Sequence, residues 1–502
     1  MSKELLKKKE ENSVNIKRRD FLKIGAAGTA VGALALASAP KDAAARALDK
    51  ETQKAILKEH DDFPNEIRAD YKPHNQWDTV HAHGFFPEAL KAAGIQVDED
   101  AESYGQNYIK HVNYIFNKDK KGYDQLAKAT MSGGWALSNA TTGPSPGAIP
   151  DFGLYTWKQK ADKNPIALMD TDFIQKEKYQ FKSKKEASAA IKRVAKLYGA
   201  DLVGITKNDK RWNFAKFFNP IPPMGRQMFP APPSPEAMKD MMENPWTPDK
   251  FVYGWEKYPF KPKTVIVLAF EMDYEGIAAS PTEIGAAAAG EGYSQMAKSA
   301  YQLSTFFKTL GYQSTAAGND MGLSVPYAIA AGLGEGSRMG LLVTYKYGPR
   351  VRLAKVYTDF DFVEYDKPKT FGVLEFCKRC MRCAEACPSK AVSSEVEPSF
   401  EPKEKDAWYN NKGVKKYYGN AKKCFQHWME NEADCGNCIT SCPYNKPDFW
   451  HHRLVDGISK AMPGPVHSFM REMDIVFGYG DTYDEKAIDK FFDPKGKSYD
   501  GY

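Results

Sequence analysis

The chain has 502 residues, of which 42% are hydrophobic and 27% are charged. This is the balance of a globular protein with two or three domains, not of a disordered or fibrous one. The formal net charge is +6, but the first 45 residues hold nine Lys or Arg against five Asp or Glu. The rest of the chain therefore lacks a concentrated basic face, and we do not expect it to bind nucleic acid.

Residues 1–45 have the pattern of an export signal. A basic start precedes Arg18-Arg19-Asp20-Phe21-Leu22-Lys23 and a mildly apolar stretch, 24–39, that is too short to span a membrane. The pattern predicts a twin-arginine signal with cleavage after Ala45, and the alternative is a tail in which two arginines are adjacent by chance. Because this pathway exports folded proteins, the signal predicts a cofactor. No later stretch is apolar enough to cross a membrane.

Residues 46–180 mix charged helical stretches with aromatic-rich loops, and their periodicity predicts no definite fold. An amphipathic helix is expected from Lys184 to Tyr198, closed by Gly199 and followed by the apolar strand 201–205. Helix followed by strand indicates an α/β layer. The segment from Asn219 to Pro248 contains nine prolines, which exclude regular structure and leave a surface loop or a lid as equal alternatives.

A buried strand is predicted at 264–270. Ser280-Pro281-Thr282-Glu283 then predicts a helix start with a capping box, and Gly311 a helix end, with a break near Gly290 and Gly292. Further short strands are expected at 341–345 and 351–357. Residues 181–365 thus form one α/β unit in this interpretation.

The eight cysteines all lie between residues 377 and 442, in two runs that each end in Cys-Pro. This repeated spacing is typical of two 4Fe-4S clusters, in which the last Cys of each run binds the other cluster. The expected ligands are Cys377, Cys380, Cys383 and Cys442 for one cluster, and Cys387, Cys424, Cys435 and Cys438 for the other. A disulfide framework and a zinc site are the alternatives for an exported chain with CxxC pairs.

Two clusters alone would describe a ferredoxin, yet most of the chain precedes them and needs an electron acceptor. No GxGxxG of the dinucleotide type, P-loop or HExxH motif occurs. The whole pattern resembles the corrinoid-dependent reductive dehalogenases of organohalide-respiring bacteria. The resemblance rests on the signal, the cluster motifs and four segments: 200–204, 331–340, 351–359 and 371–377.

This resemblance implies an α/β (α+β) fold in which a nitroreductase-like corrinoid-binding domain precedes a ferredoxin-like domain with two 4Fe-4S clusters. The expected domains are 1–45, signal; 46–180, part of the corrinoid and substrate pocket; 181–365, corrinoid-binding domain; 366–450, cluster domain; 451–502, C-terminal extension. The corrinoid is base-off and lacks a protein ligand. In agreement, the DxHxxG motif that supplies a cobalt-binding histidine is absent, since His81 has the wrong spacing.

The resemblance also implies a proton-donating tyrosine at Tyr293, a supporting cation at Arg352 and a pocket asparagine at Asn319. A cation beside a phenol stabilises the phenolate and so favours proton delivery. Taken alone, the three would be interpreted as a core residue, a surface charge and a turn former. Arg350 competes with Arg352, because both lie on one face of the same strand. Weaker local similarity assigns the pocket wall to Tyr71, Trp135 and Trp428, the last of which could instead pack against a cluster.

The expected activity is removal of halide from a small organohalide by a Co(I) corrinoid that receives electrons through the clusters. Halogenated alkenes and halogenated phenols are both compatible substrates. The implied partners are the twin-arginine machinery, a membrane electron donor and a small membrane-anchor protein, with the enzyme attached peripherally at the outer face of the cytoplasmic membrane; whether it forms a homodimer stays open. The alternatives are epoxyqueuosine reductase, which acts on tRNA in the cytoplasm, and a pure electron-transfer protein.

Overall fold

The computed structural model describes residues 57–111, 120–141, 174–218, 252–258, 260–319, 321–445 and 480–493. These residues belong to one compact unit. The signal with its expected cleavage site, the proline-rich segment at 219–248 and most of the C-terminal extension lie outside the described residues.

The described helices and strands alternate along the chain without a repeating order. The helices are α1 (Val80–Phe85), α2 (Pro87–Ala92), α3 (Glu99–His111), α4 (Gln125–Thr141), α5 (Lys184–Leu197), α6 (Tyr274–Ala278), α7 (Glu283–Thr309), α8 (Ser324–Ala330), α9 (Val373–Arg379), α10 (Arg382–Ala386), α11 (Ala421–Asn431), α12 (Asn437–Thr440) and α13 (Glu485–Phe492). The strands are β1 (Lys58–Glu59), β2 (Leu202–Lys207), β3 (Lys216–Phe218), β4 (Val252–Gly254), β5 (Thr264–Glu271), β6 (Ser314–Ala317), β7 (Gly334–Gly336), β8 (Leu342–Thr344), β9 (Val351–Thr358) and β10 (Lys369–Thr370).

A four-stranded sheet forms the centre, in the order β2-β5-β9-β6. All three pairings are antiparallel, and β5 pairs with β9 from Thr264 opposite Thr358 to Glu271 opposite Val351. Helices and an antiparallel sheet together give the α+β form of the expected fold class.

Each face of this sheet supports its own apolar layer, because successive side chains of a strand point to opposite faces. Ile266 and Leu268 pack with α5 and α7. Val265 and Val267 pack instead with a layer that contains Tyr327 of α8. Both faces of β5 are therefore covered, which explains why its sequence is a continuous apolar run.

Helix α7 differs from its sequence interpretation in two ways. Its N-cap is Thr282, whose side chain makes no capping bond; the Thr282 hydroxyl instead donates to the carbonyl of Ala279 at 2.7 Å. The predicted capping box is therefore wrong. The expected break is also wrong, since the helix continues through Gly290 and Gly292 to Thr309. Gly311, with φ +86°, follows the helix end as predicted.

Periodicity predicted no definite fold for residues 46–180, where the structure has helices α1 to α4. Helix α4 lies along α7, and α3 packs against α11 of the cysteine-rich region. These helices bring the N-terminal region against both the sheet layer and the cysteines. No helix within the described ranges is long and apolar enough to cross a bilayer.

Candidate functional site

Tyr293 of α7 lies among polar and aromatic side chains from three other parts of the chain. The Asn319 side-chain amide donates a hydrogen bond to the Tyr293 hydroxyl at 3.0 Å. The Arg352 guanidinium carbon is 4.8 Å from the centre of the tyrosine ring. Helix α7, the loop after β6 and strand β9 thus place Tyr293, Asn319 and Arg352 next to one another. These are the three residues that the family resemblance implies for the reaction.

Trp135 of α4 stacks on the Tyr293 ring, with 5.0 Å between ring centres and 24° between ring planes. The Trp135 indole N–H donates to the carbonyl of Ala286 in α7 at 3.1 Å. A Cβ at Gly290 would lie only 2.4 Å from Trp135 Cδ1, and one at Gly292 would lie 2.8 Å from Arg352 Cγ. The two glycines that suggested a helix break therefore let α4 and β9 approach the tyrosine.

A buried polar chain orients Asn319. Lys355 is fully buried, and its ammonium group donates to the Ser324 hydroxyl at 2.6 Å and to the carbonyl of Gly318. The Ser324 hydroxyl in turn donates to Asn319 Oδ1 at 3.1 Å. Because its oxygen is engaged in this way, the asparagine presents its N–H to Tyr293.

The two competing arginines have different surroundings. Arg350 is buried, and its guanidinium pairs with Glu271 at 2.5 Å and also donates to the carbonyl of Met272 at 2.6 Å and to Asn445 at 3.0 Å. Arg352 lies over the tyrosine ring, and its Nε is buried without a hydrogen-bond partner among the described residues. Arg350 thus joins structural elements, whereas Arg352 keeps a donor available at the site.

Asp434 connects the tyrosine site with the cysteines. Burial raises the pKa of Asp434 to about 6, and the positive charge of Arg352 opposes that rise. The same carboxylate raises the pKa of the neighbouring thiols Cys424 and Cys435 after the larger effect of burial. Sequence reasoning missed Asp434, because its role comes from a contact between distant parts of the chain.

One of the three expected pocket aromatics, Trp135, lies against Tyr293. Tyr71 packs in the other layer of the sheet, edge-on to Trp212 at 5.7 Å, and its hydroxyl donates to the carbonyl of Arg211 at 2.7 Å. The structure does not bring Tyr71 into contact with Tyr293. Trp428 of α11 lies 5.6 Å from the ring of His81 and, in sequence, between Cys424 and Cys435 of the second cysteine group.

His81 of α1 and Trp428 of α11 form an aromatic pair. The His81 side chain is exposed, although the surrounding protein lowers the pKa of His81 to about 4 by desolvation. The ring also packs edge-on against Phe425 at 5.1 Å, and the indole N–H of Trp428 is buried without an acceptor among the described residues.

Four cysteines, which we call set one, line a single cavity: Cys377, Cys380, Cys383 and Cys442. Its other walls are largely apolar, with Val343, Val373 and Phe376. Burial raises the pKa of Cys377 to about 12. Such thiols ionise only beside a strong positive charge, which bound iron provides.

The remaining four cysteines, which we call set two, also lie close together: Cys387, Cys424, Cys435 and Cys438. Burial raises the pKa of Cys438, and the charges of the other three add to the rise. Cys438 also acts on Cys383 of set one. The two sets are therefore neighbours, as an electron path requires.

All eight cysteines are free thiols in the structure, which argues against the disulfide framework. In the part of the chain that the structure describes, no three His, Cys, Asp or Glu side chains are arranged to hold a single metal ion. A zinc site is thus not supported. Four sulfurs around a cavity instead suit a cluster that is larger than one ion.

Glu335 and the turn after it are functional features that sequence reasoning did not assign. The buried Glu335 carboxylate accepts backbone N–H bonds from Phe371, Gly372 at 2.8 Å and Val373 at 3.3 Å, at the start of α9. Helix α9 carries Cys377, so Glu335 fixes one ligand-bearing element of set one. The sequence feature that could have identified this residue is an acidic side chain between two glycines, Gly334 and Gly336.

Comparison with known proteins agrees with this geometry. Residues 376–445 match the family model of a 4Fe-4S double cluster binding domain, and residues 15–35 match that of the twin-arginine translocation pathway signal sequence. A tetrachloroethene reductive dehalogenase of Desulfitobacterium hafniense is 33% identical over 520 residues, which cover 92% of this chain and 94% of the relative. The chain belongs to the reductive dehalogenase family. As a reductive dehalogenase it carries a twin-arginine export signal and a domain for two 4Fe-4S clusters.

The solved structure of a reductive dehalogenase, described as suggesting a mechanism for B12-dependent dehalogenation, has the same fold. Its TM-score is 0.58 at 17% identity, and the alignment covers 88% of this chain. The reductive dehalogenase described here spans about half the length of that solved chain, 52%. An epoxyqueuosine reductase of Lactococcus garvieae is 30% identical over 215 residues, only 35% of this chain. The whole-length similarity thus favours the dehalogenases over this alternative.

Proposed function

We propose that this protein removes halide from a small organohalide in a corrinoid-dependent reductive reaction. The observation that carries the proposal is the group formed by Tyr293, Asn319 and Arg352, joined through Asp434 to a set of four cysteines. A proton donor beside an electron path is what replacement of halogen by hydrogen requires. The family relationship supports the same reaction.

Tyr293 donates the proton in this proposal. The hydrogen bond from Asn319 and the positive charge of Arg352 both stabilise the phenolate that remains on the tyrosine. Stacking on Trp135 keeps the ring in position and excludes water from one side. Each of these contacts acts on the tyrosine during proton transfer, so we assign Tyr293 as the catalytic acid and Arg352 and Asn319 as its supports.

Sets one and two are the proposed ligands of the two 4Fe-4S clusters. The aromatic pair of His81 and Trp428 suits part of a corrinoid, since aromatic faces suit a flat macrocycle and the unpaired indole N–H suits an amide carbonyl at its rim. When bound, a corrinoid supplies a strongly reducing cobalt centre. Asp434 interacts electrostatically with Arg352 and with Cys435 of set two, and this supports set two as the proposed donor side of the reaction site.

The proposed substrates are halogenated alkenes or halogenated phenols. The Desulfitobacterium relative is named for tetrachloroethene, and the aromatic side chains Trp135 and Tyr293 provide an apolar wall for either class. Differences the size of one methyl group change preference by about 1–3 kcal/mol, so small changes in the wall would suffice to select one class.

We further propose that residues 181–365 form a nitroreductase-like corrinoid-binding domain, preceded by pocket residues in 46–180 and followed by a ferredoxin-like domain at 366–450. After export, a small membrane-anchor protein would hold the enzyme at the outer face of the cytoplasmic membrane and a membrane donor would reduce it. The match of residues 15–35 to an export signal supports this location.

The decisive test of the reaction is Tyr293→Phe. The variant loses only the hydroxyl, so ring stacking, iron and corrinoid content should be retained while halide release falls about 10²–10⁴-fold. Anaerobic halide release from tetrachloroethene and from a chlorinated phenol measures this loss. Halide release at the wild-type rate by a fully loaded variant would show that the proton comes from another group.

A pure electron-transfer protein is the competing function, and cofactor content separates the two. Anaerobically purified protein should contain about eight iron per chain and one extractable corrinoid. Iron without corrinoid, together with no halide release across the substrate panel, would favour the electron-transfer protein.

A further inference from the structure

Arg338 is a fully buried arginine in the turn between β7 and β8. Its guanidinium donates to the carbonyl of Cys377, to the carbonyl of Ser393 at 2.9 Å and to the carbonyl of Glu395. The guanidinium carbon also lies 4.2 Å from the centre of the Tyr417 ring. The cation is therefore held by backbone carbonyls and an aromatic face.

In this arrangement the partners of the Arg338 guanidinium are neutral groups, so they do not neutralise its positive charge. No carboxylate within the described ranges forms an ion pair with it, and it lines the cavity of set one. A charge acts over a longer distance in a desolvated interior than at the surface.

The surroundings of set two have the opposite sign. Asp434 directly precedes Cys435 in the chain and is only partly exposed. Set one therefore lies beside a buried cation, and set two lies beside a partly buried carboxylate. Reduction adds one electron to a cluster, so a nearby cation stabilises the reduced form and a nearby anion destabilises it.

We propose that Arg338 raises the reduction potential of the cluster at set one above that of the cluster at set two. The proposal rests on the two-cluster function of the chain. An electron shared between the two clusters then resides preferentially at set one. Arg338 is a positioning residue, because it acts through Cys377 and the cluster and does not touch the substrate.

The test is a redox titration of the full-length, anaerobically purified protein, loaded with both clusters and corrinoid. Electron paramagnetic resonance follows each cluster during reduction with Ti(III) citrate, in the absence of organohalide. Arg338→Gln removes the charge and keeps a side chain that can donate hydrogen bonds. We expect one of the two cluster transitions to move to a more negative potential while the other stays in place.

Two further variants separate charge from structure. Arg338→Lys keeps a cation, so its potential should return toward the wild-type value. Lys378→Gln removes a cation next to Cys377 that is partly exposed and already paired with Glu375 at 3.0 Å and Glu397 at 3.1 Å. Because those carboxylates and water screen its charge, this control should leave both transitions unshifted.

The outcomes are distinct. A negative shift in the Gln variant that the Lys variant reverses supports the proposal, as does loss of one cluster in the Gln variant with retention in the Lys variant. Unshifted transitions in both variants overturn it. Equal loss of a cluster in both variants also overturns it, because Arg338 would then be only a scaffold for the backbone. None of these results depends on dehalogenation, so failure of the proposed reaction would be recognised separately.

Discussion

Set one and set two each consist of four cysteines, but the two sets have different neighbours. Set one lines a largely apolar cavity that contains the buried cation Arg338. Set two adjoins Asp434, whose carboxylate interacts with Arg352 and so reaches the tyrosine site. Two sets of four cysteines can therefore differ in their electrostatic surroundings through one or two charged side chains.

Removing one ligand from each set gives the largest expected effect. Cys377→Ser and Cys435→Ser should each lower the iron content from about eight to about four per chain, and each should abolish halide release because the electron path is interrupted. Iron analysis and electron paramagnetic resonance distinguish the cluster that remains. Full iron content in either variant would contradict the assignment of that cysteine.

The two arginines at the start of β9 can be used to separate the reaction site from structural contacts. Arg352→Leu removes the cation beside Tyr293, so halide release should fall at least about tenfold with little change in the midpoint of thermal unfolding. Arg350→Leu should do the reverse, because it removes the buried guanidinium's hydrogen bonds to the Met272 carbonyl and to Asn445 and costs about 2 kcal/mol of stability. Loss of activity in Arg350→Leu alone would reverse the assignment.

The close approach of α4 to α7 on the set-two side can be tested at one glycine. Gly290→Ala places a methyl group against Trp135, so it should lower the free energy of unfolding by about 1–3 kcal/mol and reduce activity. Gly133→Ala is the matched control, because nothing lies within 4 Å of its added Cβ. That variant should be stabilised by about 0.5–1 kcal/mol through helix propensity.

Asp434→Asn tests directly whether the charge beside set two affects its cluster, and we expect this variant to have the smallest effect. Removing the carboxylate should move one cluster transition to a more positive potential, opposite in sign to Arg338→Gln and smaller, because Arg352 already offsets part of the charge. The redox titration described above measures it. A shift of the same transition in both variants would mean that the two residues act on one cluster.

The cysteine motifs were informative from sequence because ligands of a cluster must follow one another at short, fixed spacing. Strand β5 and helix α5 were likewise evident from an apolar run and an amphipathic period with Ser183 as a cap, which accepts from the Glu186 N–H at 3.1 Å. Tyr293 and Arg352 carry no such local pattern. Their interpretation depended on family resemblance.

What could not be predicted depends on contacts between distant segments. Gly290 and Gly292 weaken a helix locally, yet they lie in its middle because Trp135 and Arg352 need the space. Arg338 and Asp434 are ordinary charged residues until folding places them beside separate groups of thiols. The predicted capping box failed for the same reason, since Glu283 pairs with Lys128 of α4 at 3.1 Å.

The glycines of α7 also have an entropic consequence for the proposed reaction. A tyrosine on an open helix surface would exchange between side-chain rotamers, and the productive one would have to be selected in each turnover. The space beside Gly290 and Gly292 lets Trp135 and Arg352 pack against the Tyr293 ring and restrict its rotation. Rotational freedom is then lost once, during folding, and the reaction begins from a preorganised acid.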